Sequence, residues 1–134
     1  DPNWIPVLEA TFAPYKEKVS IINKLVSSQD TATSITLETA LAKEKGKSIF
    51  IKMDIEGYET EVISASRNFL TSDRKFKLAC CTYHKAGDAE MLKGLFDKLQ
   101  FHSEFSDGYM LFPMDEQQVP PFFRHGLIRA KNFK

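Results

Sequence analysis

The chain has 134 residues, and 18 basic side chains balance 18 acidic ones, so its formal net charge is zero. A length of this order makes one domain, residues 1–134, able to bury roughly two thirds of its unfolded surface. Neutrality excludes a global field that would draw the protein to nucleic acid or to an anionic membrane. No apolar run approaches the ~20 residues of a membrane span, and no signal peptide is visible.

Taken in order, the chain opens Asp1-Pro2-Asn3-Trp4, with an acid at a helix cap and proline at the first helical position. It has no initiator methionine, which reads as the C-terminal portion of a longer protein. Trp4, Ile5, Leu8 and Phe12 fall on one helical face, and Pro14 ends that helix. Val19 to Val26 reads as a strand, and the mostly polar Ser27 to Ser34 as a loop. Thr36 caps a helix from Leu37 to Lys45, which Gly46 closes. Ile49 to Met53 is a short apolar run of the kind found in buried strands. After Asp54, Glu56 and Gly57 the period changes, and Val62, Ile63, Ser66, Phe69 and Leu70 recur at helical spacing.

Phe76 to Tyr83 forms a second buried-type strand ending at His84, Lys85, Gly87 and Asp88. Asp88 then caps the clearest amphipathic helix, through Met91, Leu92, Leu95, Phe96 and Leu99. Asp107-Gly108 between Phe101–Ser106 and Tyr109–Phe112 is a hairpin signal. Pro113 to Arg124 reads as a surface loop, and Leu127 to Ala130 as a last strand. Strands alternate with helices to about residue 100, and strands alone follow. That is an α/β fold, with parallel core strands and an antiparallel C-terminal tail.

Ligands of open α/β sheets sit beyond the carboxyl ends of the strands, where Asp54, Glu56 and His84 fall. Asp54 and Glu56, two apart on an extended chain, share a crevice in which carboxylates accept hydrogen bonds or take a proton. Equally, they are turn acids satisfied by amides and the helix dipole. His84 is placed to act as a general base near neutral pH, or is a loop histidine with no role. Glu59 and Glu61 complement the dipole of the following helix. Lys52 snorkels along its stem or pairs with Glu56 or Glu59. His102 and His125 read as surface or loop residues. Cys80 and Cys81, adjacent in a strand, point to opposite faces and read as buried small hydrophobes. No metal-ligand spacing and no disulfide framework are present, which favours a reducing, cytoplasmic setting and no metal.

The stretch Lys52-Met-Asp-Ile-Glu-Gly-Tyr-Glu59 resembles the lysine-aspartate-x-glutamate-glycine-x-glutamate signature of FkbM-type methyltransferases, with Met53 inserted between the lysine and the aspartate. Cys81-Thr-Tyr-His-Lys-Ala-Gly-Asp88 is similar to the tyrosine-histidine-lysine segment one strand later in that family. The resemblance implies a class I, Rossmann-like sheet and S-adenosylmethionine as cofactor. It implies a hydroxyl of a sugar or secondary metabolite as methyl acceptor, with His84 as base and Asp54 and Glu56 orienting donor or acceptor. On the cofactor side it points to Asp54 and Ile55 after the fourth strand, to Ser27 and Ser28 near the adenine, and to Asp1 near the ribose. Glu59 matches the signature as well.

The sheet order of that class, 3-2-1-4-5-7-6, makes Val19–Val26 strand three, Ile49–Met53 strand four and Phe76–Tyr83 strand five. The glycine-rich first strand and turn are missing, since the six glycines never cluster as G-x-G-x-x-G. Strand four would then have an open edge, expected to pair with Val19–Val26 or with a second copy in a homodimer. An incomplete donor pocket implies a fragment that is inactive alone. The reading from another class is a non-catalytic α/β binding or assembly module. A two-carboxylate hydrolase is disfavoured, because it needs acids on opposite sides of a cleft.

Overall fold

A computed structural model of the chain describes residues 2–111 and 122–134. Asp1 and most of the expected loop 113–124 lie outside the described residues.

The centre is a four-stranded sheet of order β3-β4-β6-β5, built from β3 (Ser48–Met53), β4 (Lys75–Cys81), β5 (His102–Phe105) and β6 (Leu127–Lys131). β3 and β4 are parallel, and β6 runs antiparallel between β4 and β5. Three strands therefore point one way and the last inserts against them, the parallel core and antiparallel tail that alternation predicts. In the class numbering this is 4-5-7-6.

Helices α3 (Glu59–Ala65), α4 (Arg67–Leu70) and α5 (Asp88–Lys98) follow β3 and β4. One face of the sheet, Ile49, Ile51, Met53, Phe76, Leu78, Cys80, Ile128 and Ala130, packs with Val62, Ile63, Leu70, Leu92 and Phe96 into one core. Each fully buried side chain of that size contributes about 1.5–3 kcal/mol. Phe69 sets its ring edge-on to Phe76 at 5.2 Å, tying α4 to β4.

β3 is half-buried and not the buried run its composition suggests. Ile49, Ile51 and Met53 point inward, while Phe50 is 68% exposed on the opposite face. Alternation of this kind belongs to a strand covered on one side.

Several expectations are corrected. Val19–Val26 is not a strand over its length. Only β1 (Leu25–Val26) is, and it pairs in parallel with β2 (Ser34–Ile35) in a separate small sheet. The cause is a polar knot in the expected loop. The Asp30 carboxylate accepts from the Thr36 N–H and from the hydroxyls of Thr36 and Thr39, and Thr31 bonds Ser34. That knot folds 30–36 back beside 25–26. β1 therefore does not move over to β3, whose outer edge meets no strand among the described residues.

Thr36 does cap α2 (Leu37–Ala40), its hydroxyl accepting from the Thr39 N–H. The helix stops short of Lys45 because 43–46 carry no apolar side chain to pack. α1 (Ile5–Phe12) lies between two 3-10 turns, and its apolar residues stay partly or largely exposed.

The expected helix after Gly57 is broken at Ser66. The cap of α5 is Gly87, at φ 87°, and Asp88 is the first helical residue. Asp107-Gly108 does not close a hairpin with 109–111, and Phe112 lies outside the described residues. β5 pairs with β6 instead, and Met110 only bridges Arg124. β6 wins because Ile128 and Ala130 fill the core beside β4.

Candidate active site

Two strand ends build the site. β3 stops at Met53, and Glu56 (φ 57°) and Gly57 (φ 84°) take left-handed conformations in succession, which turns the chain sharply into α3. Gly57 is favoured by its φ, and any side chain there would also have to push Lys85 aside. A Cβ there would stand 2.7 Å from Lys85 Cε, and Lys85 Nζ donates to the Gly57 carbonyl at 2.5 Å. Glu59, 2% exposed, reaches back so that its Oε1 accepts the Ile55 N–H at 2.8 Å.

Beyond β4, the Thr82 hydroxyl donates to the His125 carbonyl. Arg124 Nη1 donates to the carbonyls of Tyr83 (2.7 Å) and His84 (3.2 Å). Asp88 Oδ2 accepts the Lys85 N–H at 2.8 Å. The backbone carrying His84 is thus held from both sides.

The parallel register of β3 and β4 then brings the two loops together. His84 Nε2 lies 2.9 Å from Asp54 Oδ1 and 3.6 Å from Glu59 Oε1, and its Nδ1 lies 3.6 Å from Glu56 Oε2. Tyr83 donates its hydroxyl to the same Asp54 Oδ1 at 3.1 Å, and its ring lies 4.3 Å from the imidazole. Lys52 Nζ sits 3.6 Å from Asp54 Oδ2 and 3.2 Å from Cys81 Sγ.

Partial burial works to raise the Asp54 pKa, but hydrogen bonds from His84, Cys81 and Tyr83 and the Lys52 charge outweigh it and hold the carboxyl below its ordinary range. Burial works to lower Lys52, while Cys81 and Asp54 together raise it. Tyr83 is pushed up by burial and then by the adjacent Asp54 carboxylate. Burial lifts the Cys80 thiol to about 12, so that sulfur is inert. Asp88 is raised by burial and, after partial relief from the Lys85 N–H, by the Glu59 charge.

The structure brings together Asp54, Glu56 and His84, all three expected from sequence. Asp54 and Glu56 do not share a face by strand alternation. The left-handed turn instead delivers Glu56 to the other nitrogen of His84. Ser27 and Ile55 line one cavity of about 430 Å³ with Leu25, Val26, Glu56 and Tyr58. Ser28 is not on it; its hydroxyl donates to Glu61 Oε1 at 2.6 Å. Lys52 pairs with Asp54, not with Glu56 or Glu59.

Glu59 is the residue that sequence spacing undervalues. It is a buried strut under the turn and more than a dipole partner. One donor atom each of Asp54, Glu59 and His84 lies within 4.8 Å of the others, a grouping that could hold a cation and that chain spacing does not suggest. In the structure the Nε2–Asp54 hydrogen bond uses these same atoms. His102 is an exposed strand residue, and His125 stacks on Phe105 at 4.2 Å.

The chain matches no known protein family and no curated protein. A solved structure does share its architecture. The crystal structure of precorrin-6y C5,15-methyltransferase from Geobacter metallireducens GS-15 aligns at a TM-score of 0.50 and 14% identity, covering 98% of this chain and 61% of that one. The fold is a Rossmann-like mixed α/β one. At this identity the likeness concerns the fold, and the chain spans about three fifths of the length of the protein it matches. No helix among the described residues is long and apolar enough to cross a membrane.

Proposed function

We propose that this protein is an S-adenosylmethionine-dependent O-methyltransferase of FkbM type, acting on a hydroxyl of a sugar or secondary metabolite. The observation that carries the reading is the Asp54–His84 pair, 2.9 Å apart at the carboxyl ends of two adjacent parallel strands. That is where an open α/β sheet places its ligands.

The residues on the wall of the 430 Å³ cavity suit the adenosine end of the cofactor. Leu25, Val26 and Ile55 offer apolar surface to a flat base, and Ser27 offers polar atoms to its edge and sugar. When bound, the cofactor supplies an electrophilic methyl group on a sulfonium, which leaves as a neutral thioether. His84 takes the acceptor's hydroxyl proton as the oxygen forms its bond to carbon. Asp54 orients the imidazole and stabilises its charged form, as a carboxylate beside a histidine does. Tyr83 and Lys52 hold Asp54 in place. Glu59 and the left-handed turn fix the loop against the strand end, so the reacting groups meet without reorganisation.

The test is methyl transfer and S-adenosylhomocysteine binding with the full-length protein. Asp54→Asn is expected to lower turnover or cofactor affinity with the fold intact, and His84→Ala to lower kcat by about 10²- to 10⁴-fold with a smaller change in KM. Wild-type kinetics in both variants would leave a non-catalytic α/β module as the reading.

A further inference from the structure

We infer that the base nitrogen of His84 is Nδ1, and that Glu56 beside it selects acceptors bearing a second hydroxyl on the carbon next to the reacting one. The inference rests on the methyl-transfer reading above and names the acceptor class for it.

The first half follows from what each atom is able to donate. An ionised carboxylate has no proton to give. Asp54 Oδ1 receives the Tyr83 hydroxyl and lies 2.9 Å from His84 Nε2, so Nε2 must carry hydrogen. Glu59 Oε1, 3.6 Å from the same nitrogen and buried, adds negative potential at that end of the ring. A neutral imidazole protonated on Nε2 keeps its lone pair on Nδ1. Turning the ring over would put Cε1 in place of Nε2, and moving the hydrogen to Nδ1 would put the Nε2 lone pair against the Asp54 carboxylate; either forfeits the hydrogen bond. Both carbonyls flanking the ring are held by Arg124. Among the described residues no hydrogen bond to Nδ1 is formed, and Glu56 Oε2 lies 3.6 Å from it, beyond hydrogen-bond length.

The second half concerns that neighbour. The Glu56 side chain is 88% exposed, yet its backbone is fixed in a left-handed conformation followed by Gly57 in another. It forms part of the cavity wall with Ile55 and Tyr58. A reacting hydroxyl has one hydrogen, and Nδ1 takes it. The Glu56 carboxylate needs a donor of its own. Two gauche hydroxyls on adjacent carbons, each about 2.8 Å from its partner, match acceptors 3.6 Å apart. The proton of the first goes to Nδ1 during reaction, while the second stays bound to Glu56 and sets the angle of attack.

The experiment uses the full-length protein labelled with ¹⁵N-histidine. Long-range ¹H–¹⁵N spectra report the His84 tautomer, expected to be Nε2–H; an Nδ1–H tautomer overturns the base assignment. Titration with cis-cyclohexane-1,2-diol and with cyclohexanol follows the Nδ1 resonance. The diol is expected to bind about 10-fold tighter in wild type, the increment of one hydrogen bond to a charged group, and Glu56→Gln to abolish the difference. Equal affinity for both alcohols in wild type, or a preference that survives in Glu56→Gln, overturns the selection. Absence of methyl transfer alongside the expected tautomer and diol preference would count against the transferase reading alone.

Discussion

Glu59→Ala tests whether the buried carboxylate supports the turn on which the site depends. Glu59 is 2% exposed, and its Oε1 accepts the Ile55 N–H across the two left-handed residues at 56 and 57. Truncation leaves that part-buried N–H without its partner, worth about 1–3 kcal/mol. It also opens a void beside Val62 and Ile63 that costs about 1 kcal/mol more. The expected total of about 2–4 kcal/mol is a large share of the ~5–15 kcal/mol that holds a domain together. For a chain of this size it lowers the thermal midpoint by roughly 5–15 °C.

Glu59→Gln keeps an oxygen for Ile55 and fills the volume, so it is expected to lose about 1 kcal/mol or less. The assay is urea unfolding with the slope checked for constancy, paired with calorimetry. A Glu59→Ala midpoint within about 1 °C of wild type would refute the reasoning, as would a Glu59→Gln variant as unstable as Glu59→Ala.

Gly57→Ala forces a methyl to 2.7 Å from Lys85 Cε and a side chain into a positive φ. It is expected to cost about 1–3 kcal/mol and to displace Lys85 from the Gly57 carbonyl, read by thermal unfolding and a crystal structure of the variant. Asp54 gives a pH signature. Its pKa in the fold is below the unfolded value, so its contribution is present above the unfolded pKa and lost as pH falls through the folded one. Urea midpoints measured from neutral into acid are expected to fall less steeply in Asp54→Asn than in wild type; parallel curves would mean the carboxylate's partners add nothing to the fold.

Much of the architecture was legible locally. Apolar runs at 49–53 and 76–83, the second of which ends as a strand at Cys81, followed by helical spacing, define two β-α units, because period and length separate a strand from a helix without reference to neighbours. Asp54, Glu56 and His84 stand out for the same reason, since each lies within three residues of a strand's carboxyl end. Pairing was not legible. Val19–Val26 has strand composition, yet a hydrogen-bonded knot around Asp30 decides that only its last two residues pair, and with 34–35. Asp107-Gly108 signals a hairpin, yet the core beside β4 accepts Ile128 and Ala130, and a strand from twenty residues on takes the place. The contacts at His84 belong to tertiary structure as well. The parallel register that sets Met53 opposite Cys80 brings Asp54 against Nε2, and a left-handed turn that alternation does not foresee sets Glu56 against Nδ1. Local chemistry chose the residues; long-range register and a positive φ chose which atoms of them meet.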